Sequence, residues 1–355
     1  MLHSFRVENF RSFQRFQVCD LARVNLFVGG NNSGKTSLLE AAELLLSDNP
    51  LNALFEIPEG RGEISPKGRK ADVSHLFHGH SVKVGSTFEV AETGGDRERS
   101  FSCQVVPGDL VDPRPRRRAA RESMAPGSPE DSPKPLRPAH GLRVQFDHQS
   151  EPIVLELTLD REMAIPERYF AIENRAVPPL KTIGAGKGHA PELWGQIALR
   201  PEEDKVTEAL RIIEPQIDRV SFIDDRCFIK SSGFEYPLPI GSMGDGISHL
   251  LSIAMHLATA TSGTLIVDEI DAGLHYSVMA RMWKMIVETA RRLDLQVLAT
   301  THSLDCLRAL AALYGEKPQL AMDVSVHRVE REGSGTVRYG ADEIAAAIEH
   351  EMEIR

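Results

Sequence analysis

Two short polar segments of this sequence have the spacing of a nucleoside triphosphate site. The first is G-G-N-N-S-G-K-T at residues 29–36, which fits the phosphate-loop pattern G-x-x-x-x-G-K-[ST]. Backbone N–H groups of such a loop face the phosphates, its lysine reaches the β- and γ-phosphates, and its last hydroxyl binds Mg²⁺. The nucleotide-binding residues that we predict here are Gly29, Asn31, Asn32, Ser33, Gly34, Lys35, Thr36 and Ser37.

The second segment is the acidic pair Asp268-Glu269, which follows the apolar residues 264–267. Side chains alternate along a strand, so the two carboxylates cannot do the same job in the same direction. We predict that Asp268 holds Mg²⁺ together with Thr36. We predict that Glu269 polarises the water that attacks the γ-phosphate, with Lys35 as its catalytic partner.

Two more segments could contact the γ-phosphate. His302 follows the apolar run at 295–299 and is interpreted as a catalytic histidine, although a lone histidine is more often structural or solvated. Ser242 and Gly244 come just before a run with helical apolar spacing at 247–257. A helix start offers free N–H groups and partial positive charge to a phosphate, but an ordinary N-cap has the same appearance.

The elements that must position these residues follow from the apolar pattern. The phosphate loop has the required frame, because a buried strand is predicted at 24–28 and a helix from 34. A helix is also expected at 202–213. Further strands are predicted near 4–9, 14–18, 84–91, 100–106, 142–147, 153–159, 220–230 and 234–238.

Taken in order, these segments resemble the ATPases of the ABC class, specifically the RecF/SMC-like and OLD-like soluble heads. The opening F-R-V-E-N-F-R-S-F at 5–13 is similar to the amino terminus of that branch, and D-E-I-D-A-G-L-H at 268–275 is similar to OLD-type heads. The resemblance implies an α/β P-loop NTPase fold with an antiparallel β segment and an inserted middle lobe. It also implies ATP and Mg²⁺ as cofactors.

The same resemblance implies roles for residues outside the phosphate loop. Ser242 and Gly244 would be the signature motif, Asp271 would lie in the loop that crosses to the opposite subunit, and His302 would be the switch histidine. Two ATP-sandwiched heads would then form a homodimer or a higher oligomer. The segment at 242–246 keeps only the serine and one glycine of the LSGGQ consensus.

No clear Q-loop glutamine follows the first helix. The local candidates are His75, Phe77, His78 and His80. This histidine-rich segment is interpreted as a surface loop or a lobe contact rather than a metal site, because no cysteine or paired carboxylate lies nearby to complete the ligands.

The spacing of the motifs suggests a divided head. We expect residues 1–160 and 236–355 to build one ATPase head and residues 161–235 to form an inserted lobe. Within the first part, 107–140 is rich in proline, serine and charge, and is expected to be a flexible insertion. Five arginines between 114 and 121 lie in it, and a solvated loop is favoured there over a contact with DNA or a partner.

Composition limits the class of protein. The 355 residues are 41% hydrophobic, and no apolar run is long enough to span a membrane. The amino terminus lacks a signal-peptide layout, and the four cysteines show no metal or redox spacing, so a cytoplasmic protein is expected. A formal charge of −10 argues against bulk attraction to nucleic acid.

Three functions remain open at this point. The first is an ATPase that regulates a separate effector, by resemblance a nuclease, in a DNA-linked or anti-phage defence system. OLD-like heads commonly carry a Toprim nuclease, but 53 residues without a D-x-D pair follow His302, so the effector is expected in trans. The alternatives are a RecF-like DNA repair clamp and, against the motif evidence, the ATP-binding subunit of a transporter.

Overall fold

The computed structural model describes residues 1–63, 71–94, 99–111, 140–147, 151–157, 162–163, 180–183, 190–224, 226–330 and 332–350. Most of the predicted flexible insertion, residues 112–139 with the five arginines, lies outside this description. The described α-helices are α1 (Lys35–Leu46), α2 (Pro50–Gly60), α3 (Ala190–Ile197), α4 (Pro201–Ile213), α5 (Asp245–Thr259), α6 (Tyr276–Arg292), α7 (Leu304–Glu316), α8 (Pro318–Ala321) and α9 (Ala341–Glu349).

The strands follow the predicted positions closely in the first 160 residues. In chain order they are β1 (Phe5–Phe10), β2 (Phe13–Val18), β3 (Val24–Val28), β4 (Ala71–Asp72), β5 (Thr87–Glu92), β6 (Ser100–Pro107), β7 (His140–Phe146), β8 (Ile153–Leu157), β9 (Glu162–Met163), β10 (Leu180–Ile183), β11 (Ile217–Ile223), β12 (Arg226–Ser231), β13 (Leu238–Pro239), β14 (Thr264–Val267), β15 (Gln296–Thr300), β16 (Val324–Arg328) and β17 (Val337–Tyr339).

A mainly parallel sheet positions the functional segments. Its strand order is β10-β14-β15-β3-β16-β17, and only the β16–β17 pair is antiparallel. Every residue of β3, β14 and β15 is buried, which suits parallel strands that are covered on both faces. The carboxyl ends of parallel strands lie at one edge of the sheet, so the phosphate loop, the acidic pair and the histidine loop all begin there.

The two faces of β3 enter different hydrophobic clusters. Leu26 and Val28 pack with residues of α3 to α7, around the fully buried Trp283. Phe27 packs on the other face with α1 and with the antiparallel sheet. Helix α1 therefore lies between two sheets, so the position of the phosphate loop is fixed by packing on both sides.

The antiparallel sheet has the order β2-β1-β5-β6-β7-β8-β9-β4. Its buried side chains share one cluster with α1, and many of them are aromatic. The ring of Phe88 contacts those of Phe10 and Phe77, with centroids 5.1 and 5.2 Å away. The predicted α/β fold with a parallel nucleotide sheet and an antiparallel segment is confirmed.

Two strand predictions need correction. The single strand expected at 220–230 is a pair of antiparallel strands, β11 and β12, with a turn at Asp224, whose φ is +47°. The strand expected at 234–238 is reduced to Leu238–Pro239. Proline cannot donate a ladder hydrogen bond, so Pro237 and Pro239 limit the pairing on either side of Leu238.

The described part of 161–235, predicted as an inserted lobe, is joined to the head. Strand β10 is the edge strand of the parallel sheet and pairs with β14. Helices α3 and α4 bury Ile197, Val206 and Leu210 in the cluster that also contains Trp283. Strands β11 and β12 form a separate short sheet with β13, which lies just beyond residue 235. The boundaries at 160 and 235 stay predictions.

None of the helices in the described residues is both long and apolar enough to cross a membrane.

Candidate functional site

The phosphate loop connects β3 to α1 through backbone angles that need glycine. Gly34 has a φ of +101° and is the N-cap of α1. A Cβ atom at this position would lie 2.6 Å from Cζ of Phe13 and 2.7 Å from Oγ of Ser12. The β1–β2 hairpin therefore supports the loop from outside, and no larger residue fits at Gly34 without displacing it.

The other predicted loop residues differ in exposure. Ser33 and Ser37 are buried, and Asn31 and Asn32 are exposed to solvent. Asn32 has a left-handed φ of +59°, a conformation that asparagine adopts more readily than most residues. The loop thus exposes its two asparagines to solvent and buries its two serines.

Lys35 is buried beneath this loop. Its Nζ donates hydrogen bonds to the carbonyl oxygens of Gly29 and Gly30 at 2.8 and 2.9 Å. Burial lowers the pKa of Lys35 to about 8, although the nearby carboxylates of Asp268 and Glu269 act in the opposite direction. The structure thus brings the predicted lysine and the predicted acidic pair into one site.

Thr36 contacts Asp268 directly. The Thr36 hydroxyl donates to Oδ2 of Asp268 at 3.0 Å, and the other carboxylate oxygen, Oδ1, accepts from Oγ1 of Thr300 at 2.5 Å. The two oxygens of Asp268 therefore bond to different elements, α1 and β15. A hydroxyl beside a carboxylate is an oxygen donor pair of the kind that Mg²⁺ accepts.

Glu269 has an unusual backbone conformation. Its φ is +53°, in the left-handed region that residues with a Cβ atom seldom adopt. Its N–H donates to Oγ1 of Thr300 at 2.9 Å, and the next N–H, of Ile270, donates to the Thr300 carbonyl at 3.0 Å. Neighbouring strand β15 therefore stabilises the turn that carries the predicted catalytic carboxylate.

The predicted switch histidine follows β15 and is exposed. Thr301, the residue before His302, donates to Oδ1 of Asp271 at 2.6 Å, and its oxygen accepts from the N–H of Ser303 at 3.0 Å. The loop after β15 is thus joined to the loop after β14 through Thr301, which also bonds to Ser303 across His302. Asp271, expected in a loop that crosses to another subunit, makes this contact within its own chain.

The segment predicted as a signature motif begins α5. Ser242 lies in the short 3-10 helix Ile240–Met243, is exposed, and donates to the Pro239 carbonyl at 2.7 Å. Gly244 has a φ of +92° and is the N-cap of α5. Farther along that helix, Nε2 of His249 lies 3.0 Å from the Ile270 carbonyl, so α5 contacts the loop after the acidic pair.

Sequence reasoning missed a buried charge network beside α1. Glu40 contacts Nε of Arg11 and Nε of Arg61, both at 2.5 Å, and Arg11 also bonds to Glu63 at 2.9 Å. Burial raises the pKa of Glu40, and the two guanidinium groups oppose this rise. The arginine of the F-R-S-F segment was the available signal, because it lies between two phenylalanines that are both buried.

The histidine-rich segment contacts the same hairpin. Nδ1 of His78 lies 3.0 Å from the Arg11 carbonyl, and the Nδ1 atoms of His75 and His80 are 3.3 Å apart. Within the described ranges, no group of three or more His, Cys, Asp or Glu residues is arranged to hold a metal ion. The residue that serves as the Q-loop stays unassigned.

Known proteins are similar in sequence to this chain over most of its length. The family described as "AAA domain, putative AbiEii toxin, Type IV TA system" matches residues 24–307. An "ATP/GTP phosphatase" of Helicobacter pylori is 21% identical over 342 residues, which are 89% of each chain.

The solved structures that this chain matches include an SMC head domain from Thermotoga maritima. It has a TM-score of 0.49 and 12% identity, and the match covers 96% of this chain and 98% of that one. An Smc head domain from Pyrococcus furiosus, with an extended coiled coil and bound to the C-terminal domain of ScpA, has a TM-score of 0.47 and 11% identity, over 99% of each chain.

The family match runs from β3 to the start of α7 and includes the phosphate loop, the acidic pair, the segment before α5 and the loop that carries His302. The prediction of a P-loop ATPase is therefore confirmed. The chain belongs to the AAA_21 family of ATPase domains.

Proposed function

We propose that this ATPase binds ATP and Mg²⁺ between two copies of the chain, and that hydrolysis shifts the pair from a closed to an open form. The observation that carries the proposal is the hydrogen bond between Thr36 and Asp268. It joins the phosphate loop to the acidic pair, and it leaves Lys35 and Glu269 beside the same point. A triphosphate bound there would contact all four side chains.

The residues fit the roles that the sequence suggested. Lys35 would turn its ammonium group from the loop carbonyls to the β- and γ-phosphates. Thr36 and Asp268 would hold Mg²⁺, because a hydroxyl and a carboxylate at 3.0 Å supply the oxygen ligands that this ion prefers. When bound, Mg²⁺ supplies positive charge to the phosphate oxygens.

Glu269 would act on the attacking water. Its carboxylate would orient the water and accept a proton from it as the bond to the γ-phosphorus forms. His302, exposed at the end of β15, would donate to a γ-phosphate oxygen. The products are ADP and inorganic phosphate.

The second copy would supply the signature segment. Ser242 and Gly244 are exposed at the start of α5, a helix of 15 residues. The N-terminus of such a helix favours a phosphate through free N–H groups and its positive dipole end. The loop at 271–274 and the exposed Tyr276 after it would face the same partner, which keeps Asp271 near the interface.

The test is the mass of the Glu269→Gln protein in solution with ATP and Mg²⁺. This variant should form a dimer that persists with ATP and dissociates with ADP, because it binds ATP and hydrolyses it slowly. Adding Ser242→Arg should abolish the dimer and leave ATP binding intact. Turnover by Glu269→Gln equal to that of the unmodified protein would overturn the role of Glu269, and hydrolysis unchanged by Ser242→Arg would remove the second-copy contact.

We further propose that the ATP-gated pair controls a separate effector, a nuclease in a DNA-linked or anti-phage defence system, in the cytoplasm. The family description, which mentions a toxin of type IV toxin–antitoxin systems, and the OLD-like acidic segment support this direction. The name of the Helicobacter pylori relative, an "ATP/GTP phosphatase", suggests that GTP is a substrate as well as ATP.

The deciding experiment is affinity purification of Glu269→Gln with ATP and Mg²⁺ from its own host. A stoichiometric second polypeptide with nuclease activity would support the regulator. A bare homodimer that binds DNA ends or gaps would instead favour a RecF-like repair clamp. Recovery of a membrane protein would favour the ATP-binding subunit of a transporter.

A further inference from the structure

Thr300 contacts both members of the acidic pair. It is the last residue of β15, and its side chain is buried. It is not one of the site residues that were predicted from the sequence. We infer that Thr300 is a positioning residue for hydrolysis, which sets the direction of the Asp268 carboxylate and the backbone angle of Glu269. This inference rests on the proposed function of these two carboxylates.

The hydroxyl of Thr300 uses both of its hydrogen-bonding capacities. Its O–H donates to Oδ1 of Asp268 at 2.5 Å, and its oxygen accepts the N–H of Glu269 at 2.9 Å. A hydroxyl has one proton, so donation to Asp268 leaves the lone pairs free to accept from Glu269. One atom thus ties the side chain of the first carboxylate to the backbone of the second.

The bond from Thr300 to Asp268 fixes the orientation of the Asp268 carboxylate. With Oδ1 bonded to Thr300, Oδ2 is the oxygen that contacts Thr36, at 3.0 Å. Without the Thr300 hydroxyl, the carboxylate could rotate about its terminal torsion, which has broad minima. A ligand oxygen placed at random about this torsion binds Mg²⁺ less well than one held by an outer hydrogen bond.

The bond to Glu269 stabilises a strained turn. A φ of +53° is unfavourable for a residue with a Cβ atom and persists only where neighbouring contacts hold it. Thr300 provides two of these contacts, from its hydroxyl to Glu269 N–H and from its carbonyl to Ile270 N–H. The alternation of side chains along β14 ends at this turn, so the direction of the Glu269 side chain depends on the geometry of the turn.

The neighbouring threonine shows the same pattern with different partners. Thr301 donates to Asp271 at 2.6 Å and accepts from Ser303 N–H at 3.0 Å. Each threonine therefore bonds to an aspartate that follows β14 and to a backbone N–H. Of the two, Thr300 is the one that contacts the acidic pair. This division makes the effect of Thr300 separable from that of Thr301.

The test compares Thr300→Val, which removes the hydroxyl at constant shape, with Thr300→Ser, which keeps it. Thr289→Val is a matched control, because Thr289 is also buried and, among the described residues, its hydroxyl has no hydrogen-bond partner. The measurements are kcat, the Mg²⁺ concentration for half-maximal rate, and the Mg²⁺ dependence of the rise in Tm that ATP produces. The last of these requires no turnover.

We expect Thr300→Val to lower kcat and to raise the Mg²⁺ concentration for half-maximal rate, each by about tenfold or more. Changes of this size are usual when a residue that hydrogen-bonds to a metal ligand is replaced. Affinity for ATP without Mg²⁺ should stay unchanged, Thr300→Ser should recover most of the loss, and Thr289→Val should match the unmodified protein. Should Thr300→Val fail to fold, Thr300→Cys provides a second variant of similar size with only a weak donor.

Two results would overturn the inference. One is a Thr300→Val protein with unmodified kcat and Mg²⁺ requirement, and the other is an equal loss in Thr300→Ser, which would assign the effect to packing. Failure of the proposed function is distinguishable, because Glu269→Gln would then hydrolyse ATP normally whatever the Thr300 variants do.

Discussion

The hydroxyl of Thr36 donates a 3.0 Å hydrogen bond to Oδ2 of Asp268 across 232 positions of sequence. Parallel strands β3 and β14, with β15 between them, bring the two residues to the same edge of the sheet. The intervening residues supply most of the antiparallel sheet and helices α2 to α5. Both halves of the chain are therefore needed for one site.

This contact predicts a shared dependence on Mg²⁺. Asp268→Asn keeps the shape of the side chain and removes its charge. ATP hydrolysis at fixed Mg²⁺ should therefore fall by about 100-fold or more, which is at least the largest loss seen when a residue that supports a metal ligand is changed. Thr36→Val should do the same, and Thr36→Ser should keep most of the activity. Titration of the rate with Mg²⁺, and its loss in EDTA, measures the effect, and a Thr36→Val protein with a normal Mg²⁺ curve would contradict it.

The close approach of the β1–β2 hairpin predicts that Gly34 cannot be replaced. In Gly34→Ala, the new Cβ would lie 2.6 Å from Phe13 and would carry a φ of +101°. We expect loss of ATP binding, measured by calorimetry, in a protein that is also less stable. Gly60→Ala is the matched control, because nothing lies within 4 Å of its Cβ position, and it should bind ATP normally. Normal binding by both variants would show that the loop tolerates the displacement.

The sequence allowed the motif residues to be predicted, because each motif is local. The phosphate loop, Asp268 and the strand before His302 need only neighbours along the chain for their recognition. The roles of Thr300 and Arg11 could not be predicted in this way, because their partners lie on other elements and the distances depend on how the sheets pack. The strand at 234–238 was overpredicted for a local reason, since two prolines outweigh the apolar pattern.

The pKa of Lys35 predicts how ATP binding changes with pH. Burial lowers this pKa to about 8 in the free protein, so the ammonium group loses its proton as the pH rises through 8. Phosphates bind the charged form, so ATP affinity should fall between pH 7.5 and 9.5, by at most about tenfold per pH unit for one proton. Lys35→Met should bind weakly at every pH without this slope. An equal slope in Lys35→Met would assign the titration to another group.

The buried network around Glu40 predicts unequal effects of two arginines in one hairpin. Arg11→Met would leave the carboxylate of Glu40 with less compensation and should lower the free energy of unfolding by about 3–5 kcal/mol. Arg15→Met removes an arginine whose side chain is 77% exposed and which contacts Glu8, so it should cost about 0–1 kcal/mol. Urea unfolding of both variants measures the difference. Equal losses would show that the network contributes no more than a surface ion pair.

His327 predicts a loss of stability in mild acid. It is buried beside β3, with Nε2 at 2.7 Å from Ser325 Oγ and Nδ1 at 3.4 Å from Thr336 Oγ1. Burial, with a smaller contribution from the charge of Arg338, lowers its pKa to about 3. The unfolded chain takes up this proton below about pH 6.5 and the folded chain does not, so stability is present above that pH and declines as the pH falls toward 3.

The expected decline from this group is about 2 kcal/mol between pH 7 and pH 5. His327→Gln removes the titration, so this variant, although less stable at pH 7, should lose less stability than the unmodified protein over the same interval. Urea unfolding at the two pH values gives both differences. The same decline in both proteins would mean that His327 is not the group responsible. The buried carboxylates around α1 would not explain it either, because burial raises the pKa of Glu40 and of Glu43, and such groups add stability as the pH falls.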